Sequence, residues 1–101
     1  MSTELLEVPF NATTGNAYAG KNIDRLLMAE FENGYDHAKG WAGYQQWSVN
    51  GRQVRKGEHG VSCLTVITVT GKKSGKPEQT ARGFRVFHFD QTDELTAENE
   101  A

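Results

Sequence analysis

VSCLTVITVT, residues 61–70, decides the fold, because its density of Val, Ile and Thr fits a pleated strand. FRVFHF at 84–89 predicts a second strand, with bulky and polar positions alternating imperfectly. Between them GKKSGKPEQTA, 71–81, with its glycines, Pro77 and three lysines, predicts a mobile basic hairpin loop. Both parities of 61–70 carry apolar residues, so the pattern leaves open whether the second face of the sheet is covered. Immediately upstream, Gln53 to Arg55 is expected to begin a hairpin whose turn is KGEHG, with Gly57 and Gly60 supplying the permissive backbone.

Further upstream the pattern becomes helical. Asn22 is placed as an N-cap with Asp24 in the first turn, where it complements the helix dipole. Ile23, Leu26, Leu27 and Phe31 recur at helical spacing, and Gly34 ends the run. Tyr44 to Val49 predicts a short second helix with Tyr44 and Trp47 on one face. The expectation is a small single α+β domain: one main N-terminal helix plus a short second helix, packed on an antiparallel sheet of hairpins through Ile23, Leu27 and Phe31. Its expected bounds are residues 9–91, between a flexible N-terminus (1–8) and an acidic, flexible tail (92–101).

A chain of 101 residues fits one core and is too short for large enzyme architectures. Its one cysteine, Cys63, cannot form an internal disulfide and sits in an apolar run, as a buried thiol does. The first residues lack the cationic start and apolar core of a signal peptide, and no stretch approaches the roughly 18 apolar residues of a membrane span. A cytoplasmic protein with no membrane partner is therefore expected. The net charge of -2 hides a segregation. Two cations face six acids in residues 1–36 (-4), nine face two in residues 37–89 (+7), and five acids follow from Asp90 (-5). A basic middle is masked by acidic ends, and local charge is what attracts phosphates, since screening is effective beyond about 8 to 10 Å.

The chemistry of catalysis finds no candidate. GNAYAGKN, 15–22, fits the phosphate-loop pattern G-x-x-x-x-G-K-[ST] except at Asn22, where a hydroxyl should hold magnesium, and the segment before it does not read as a buried strand. A glycine turn leading into a helix explains it, although that helix start offers free amides to one phosphate, with Lys21 beside it. His37, His59 and His88 share no metal-ligand spacing with one another or with Cys63, and no Ser or Cys has a nucleophile context. The expectation is a protein that is not an enzyme and takes no cofactor or metal.

Binding chemistry is better represented. GRQVRKGEHG, 51–60, gathers Arg52, Arg55 and Lys56, and guanidinium suits phosphate oxygens bidentately while lysine acts as a compact charge. A solvated hairpin tip is the bland alternative, with Glu58 merely neutralising a neighbour. Lys72, Lys73 and Lys76 add a second cationic group. Tyr18, Trp41, Tyr44 and Trp47 lie in polar, glycine-containing surroundings, and single-strand binders stack bases on such rings for roughly 1 to 3 kcal/mol each. Trp47 is expected to pack and Tyr44 partly so, which leaves Trp41 and Tyr18, flanked by glycines or small residues, as the contact candidates.

In combination these segments resemble a known family. TGNAYAGKN (T-G-x-x-Y-x-G-x-N), Trp41 with Gln46 five positions later, GRQVRKGEHG (G-x-x-V-R-K-G-E-x-G) and VFHFDQ at 86–91 (close to V-F-N-V-x-Q) follow the order of the N-terminal single-stranded-DNA-binding domain of the antirestriction ArdC family. The resemblance covers roughly residues 9–91 and departs at His88, where Asn is common, and at Gly43, where Thr is. It implies sequence-tolerant binding of single-stranded DNA and a plasmid, phage or other mobile-element origin; a stand-alone binding module is expected, with RNA as the alternative strand. Tyr18, Asn22, Trp41, Gln46, Arg55, Lys56 and Gln91 stand at family-pattern positions, some of which maintain the fold. The family's metalloprotease-like C-terminal domain has no counterpart in these residues, so its activity is not carried over. The expected DNA contacts are Tyr18, Lys21, Asn22, Trp41, Tyr44, Gln46, Arg52, Arg55, Lys56, Lys72, Lys73 and Lys76. The competing expectation is a protein-interaction module that inhibits or recruits a host defence or DNA-processing protein, and a Trp41 substitution in an oligonucleotide assay is the expected discriminator.

Overall fold

The computed structural model describes residues 8–95. In chain order the elements are helix α1 (Lys21–Asn33), strand β1 (Trp41–Gly43), helix α2 (Tyr44–Val49) and strands β2 (Arg52–Val54), β3 (Val61–Thr70), β4 (Pro77–His88) and β5 (Thr92–Glu94). Single 3-10 turns lie at His37–Lys39 and Phe89–Gln91. One antiparallel sheet has the order β1-β4-β3, and β2 pairs with β5 in a second, two-stranded sheet. This is the α+β architecture expected.

The stretch 61–70 is a strand throughout, but its partner is longer than FRVFHF. β4 begins at Pro77, opposite Thr70, so the predicted loop shrinks to residues 71–76 and Glu78 to Ala81 belong to the strand. The turn closes on itself: Gly71 N–H donates to Lys76 O and Gly75 N–H to Gly71 O, both at 2.9 Å. Pro77 stands at the first strand position, where its missing N–H is tolerated.

β4 is central at one end only, and there the register gives each face its own core. Val86, His88, Trp41 and Cys63 share one face, where Leu26 of α1 packs into the Leu26, Trp41, Cys63 and Val86 cluster. Phe87 and Ala42 point the other way and are covered by Trp47 of α2 and Val54 of β2. Trp47 Nε1 also donates to Phe87 O at 2.9 Å. The imperfect alternation of FRVFHF follows, because residues of both parities are buried. The second face is thus covered at the β1 end, while from Leu64 through Gly83 the hairpin projects as an arm with most side chains exposed.

The packing stripe of α1 corrects the expectation of Ile23, Leu27 and Phe31. The buried residues are Asn22, Leu26 and Glu30, one face four residues apart, whereas Phe31 is 86% exposed. Asn22 is also not the N-cap: Gly20 holds that position and makes no side-chain cap. Instead the Asn22 amide pairs with the open edge of β3, donating from Nδ2 to Leu64 O at 2.7 Å and accepting from Leu64 N–H at 3.0 Å. Glu30 accepts from Trp41 Nε1 at 2.8 Å and faces His37 Nδ1 at 2.6 Å. Buried polar groups require such partners, since an unmet one costs about 1 to 3 kcal/mol.

KGEHG does not close a hairpin. β2 pairs with β5 instead of β3, in the register Arg52↔Glu94, Gln53↔Asp93 and Val54↔Thr92. Thr92 to Glu94, expected in a flexible tail, are therefore part of the fold, and Thr92 is 3% exposed. The remaining tail expectation, from residue 96 on, and the N-terminal one over residues 1–7 lie outside the described residues.

Candidate nucleic-acid interface

The cations of GRQVRKGEHG divide sharply by employment. Arg52 Nε donates to Thr92 Oγ1 at 2.7 Å, its Nη2 to Thr92 O at 3.1 Å, and its guanidinium lies 3.9 Å from the Phe89 ring centre. Arg55 donates from Nη1 to Thr92 O and Asp93 Oδ1 and from Nη2 to Asp90 O, and it pairs with Glu58 at 3.4 Å. Both arginines, expected on phosphates, hold β5 and the Phe89–Gln91 turn against β2. Lys56 is exposed and, among the described residues, makes no ion pair. It stands with Asp93 beside a surface cavity of about 330 Å³.

The aromatic expectations also separate. Trp41 is fully buried, so it cannot stack on a base. Its glycine neighbours serve the interior: a Cβ on Gly40 would stand 2.8 Å from the Phe10 ring, so that glycine lets two chain segments touch. Trp47 packs as expected. Tyr44 is 53% exposed, resting edge-on against Phe87. Tyr18 is half-buried, stacked on Phe84 with ring centres 6.4 Å apart, and its hydroxyl accepts from Asn11 Nδ2 at 3.0 Å. Burial pushes that hydroxyl up to about 12, so Tyr18 is a neutral, oriented ring. It lines an open cavity of about 400 Å³ with Thr65, Val66 and Phe84.

Several family-pattern positions are internal fasteners. Asn22 serves β3 as described. Gln46 Oε1 accepts from Gly43 N–H at 2.9 Å and from Asn11 Nδ2 at 3.0 Å, tying α2 to the N-terminal loop. Gln91, 3% exposed, accepts from His88 N–H and donates to His59 O and Glu58. His88 explains its own departure from the pattern: its Nδ1 accepts from Asp90 N–H at 2.9 Å, the bond to the residue two ahead that an Asn oxygen makes. Its Nε2 meets Asp36 O at 2.8 Å, so both nitrogens are used by the neutral ring. Burial lowers its proton affinity, against the Asp36 carbonyl and the charges of Asp90, Glu30 and Asp36. Cys63 is buried and burial raises its thiol, which makes it unreactive.

The cations left open to solvent concentrate on the arm and at its root. Lys72, Lys73 and Lys76 occupy the tip and Arg82 its flank, all exposed. Arg85 and Arg25 stand at the root near Ser62, and Lys21 opens α1 beside the Tyr18 cavity. Among the described residues none of these seven makes an ion pair. Arg25, Arg82 and Arg85 were missed as site residues in the sequence, where they read as isolated charges in a helix and a strand. The β3–β4 register sets Arg85 opposite Ser62 and Arg82 opposite Thr65, and the bond from Arg25 to Ser62 O brings α1 to the same root. Among the described residues no cluster of three or more His, Cys, Asp or Glu could hold a metal ion, and no helix is long and apolar enough to cross a membrane.

The geometry defines a small α+β domain that carries a bare cationic β-arm. The family model described as the N-terminal domain of anti-restriction factor ArdC matches residues 1–99, and the chain belongs to that family. Two similar solved structures are those of the antirestriction ArdC protein from the R388 plasmid. The metal-free structure is 31% identical with a TM-score of 0.72, covering 93% of this chain and 35% of that one. The Mn(II)-bound structure is 32% identical with a TM-score of 0.72, covering 94% and 38%. The chain thus spans little more than a third of those relatives' length. No curated protein matches.

Proposed function

We propose that this chain binds single-stranded nucleic acid, DNA in the first instance, in a sequence-tolerant way, and that it acts as a binding module and not as an enzyme. The observation that carries the reading is the division of the cations: the arginines of the β2–β5 corner are engaged within the fold, while Lys56 and the cations of the arm and its root are presented, among the described residues, without carboxylate partners. Unpartnered cations at this density attract a polyanion and repel one another in its absence. Tyr18, with Lys21 nearby at the start of α1, and the half-exposed Tyr44 supply ring surface, which favours stacking with backbone contact over base-edge readout. In this reading the chain serves a mobile element in the cytoplasm and contributes to antirestriction, in keeping with its family and the plasmid origin of the solved relative.

The test is titration of a labelled oligothymidylate at 50 and 200 mM salt. Neutralising about three to five phosphates gives a logarithmic slope of roughly -2 to -3.5, hence roughly 20 to 100-fold weaker binding at the higher salt. Absence of binding at low salt, or binding that ignores salt, would sink the proposal.

One observation favours a second reading, docking on a host protein: Phe31 and Met28 expose 86% and 56% of their surface on α1. Since Trp41 is internal, its substitution tests the core, and the discriminating change moves to Tyr44→Ala. A base-stacking role predicts a several-fold loss of oligonucleotide affinity in that variant, whereas protein docking through α1 predicts none.

A further inference from the structure

At the root of the arm, on the hairpin face turned away from Leu26, lies a cavity of about 520 Å³ with Ser62, Leu64, Gly83 and Arg85 in its lining, joined by Arg25, which reaches it from α1. Two guanidinium groups from different elements are anchored there on one residue. Arg25 Nη1 donates to Ser62 O at 3.0 Å, and Arg85 Nη2 stands 3.5 Å from Ser62 Oγ. Each guanidinium carries five N–H donors, so these anchors leave most of them unused.

The surroundings are shaped for that arrangement. A Cβ on Gly60 would lie 2.4 Å from Arg85 Cγ and 2.9 Å from Cδ, so the last glycine of GRQVRKGEHG makes room for the Arg85 stem. Gly83 contributes no side chain to the cavity, and Leu64, half exposed, gives it an apolar wall. Among the described residues neither arginine has a carboxylate within ion-pairing distance. Two like charges held on one serine without a counter-ion repel, and an anion between them reverses the sign of that interaction.

We propose that this cavity is a phosphodiester subsite, in which one backbone phosphate is held between Arg25 and Arg85 while its sugar or base rests on Leu64. The inference builds on the single-strand-binding reading and deepens it by fixing where one phosphate sits. Tetrahedral phosphate oxygens can accept paired N–H bonds from two guanidinium forks at once, a geometry that lysines at the arm tip cannot reproduce.

The experiment is a nuclear magnetic resonance titration of the wild-type chain, reading the arginine Nε–H signals and the Ser62 and Gly83 amides, with oligothymidylate and separately with inorganic phosphate. The expected result is saturable movement of the Arg25 and Arg85 signals with both probes. In fluorescence titration Arg25→Gln with Arg85→Gln should weaken oligonucleotide binding about tenfold and lower the salt slope by about 0.7, one phosphate on a single strand. The charge-conserving pair Arg25→Lys with Arg85→Lys should recover only part of the loss.

Oligonucleotide binding that leaves the two arginine signals unmoved, or that is unchanged in the Gln double variant, overturns the subsite while leaving single-strand binding intact. If the wild-type chain fails to bind the oligonucleotide, the functional reading fails, and the phosphate titration alone decides the cavity: movement at Arg25 and Arg85 supports an anion site, and none overturns it. Because the wild-type titration needs no variant, a Gln pair that fails to fold does not spoil the test.

Discussion

The β2–β5 corner and the β3–β4 arm both carry clustered basic residues, yet they put that charge to opposite uses. Arg52 is bonded to Thr92 and lies over the Phe89 ring, and Arg55 is bonded to Thr92, the Asp90 carbonyl, Asp93 and Glu58, so both guanidinium planes are fixed and that of Arg55 faces two carboxylates. Lys72, Lys73 and Lys76 belong to a six-residue turn closed by two backbone bonds and by Lys76 N–H donating to Ser74 Oγ at 3.1 Å, with the lysine side chains in water. A basic run is thus a fastener where acceptors from a distant segment return to it, and a contact surface where none does. The body between the two regions keeps them apart, because its two cores surround only the β1 end of β4.

The largest expected effect tests the body that both regions depend on. Trp41→Ala removes a fully buried ring and the donor to Glu30 Oε2, and should cost about 3 to 5 kcal/mol in urea unfolding, with any loss of DNA binding following the loss of fold. Next, Arg55→Ala should lower stability by about 1 to 2 kcal/mol while changing oligonucleotide affinity less than about twofold below the unfolding transition. A variant of normal stability and tenfold weaker binding would erase the contrast drawn here. The reverse pattern is expected of Lys72→Ala, Lys73→Ala and Lys76→Ala combined: an unchanged thermal midpoint, affinity down about tenfold and a salt slope smaller by about 2.

Smaller effects sharpen the corner. His88 is held neutral by burial, with its proton affinity below the ordinary value, whereas in the unfolded chain it titrates near about 6.5. Its contribution is therefore complete above that pH and is lost as pH falls through the depressed native value. Stability should drop on the order of 1 kcal/mol between pH 7.5 and 5. His88→Asn keeps an acceptor for Asp90 N–H and should flatten that dependence in urea titrations compared at the two pH values. Finally, Gly43→Thr adds a capping hydroxyl at the start of α2, where the backbone already has φ -70° and the nearest atom to a Cβ would be Gln46 Oε1 at 3.4 Å. It should raise stability by a few tenths of a kcal/mol.

The elements whose residues agree locally were legible in the sequence. β3 follows from its β-branched run, α1 from its helical repeat and the stop at Gly34, and α2 from Tyr44 to Val49. The packing stripe of α1 was hidden because its ends are Asn22 and Glu30, polar residues that a count of apolar spacing passes over. The partner of β2 was hidden because Thr92 to Glu94 have the composition of a solvated tail, and only the return of Arg52 and Arg55 onto them makes a strand there. At the site, Tyr18, Lys21, Tyr44, Lys56 and the loop lysines were legible as surface groups. Trp41, Asn22, Gln46, Arg52 and Arg55 were legible as important positions but not as internal ones, since their acceptors lie far away in the chain.

The Asn22 amide gives the arm a mechanical footing. By completing two backbone bonds at Leu64, it makes the first turn of α1 a stub strand on the free edge of β3, at the point where the hairpin leaves the body. The seven residues from Leu64 to Thr70 span about 20 Å at strand rise. A load on the lysine tip therefore acts as on a lever whose fulcrum is Leu64, and its torque is delivered to the helix that carries Lys21 and Arg25.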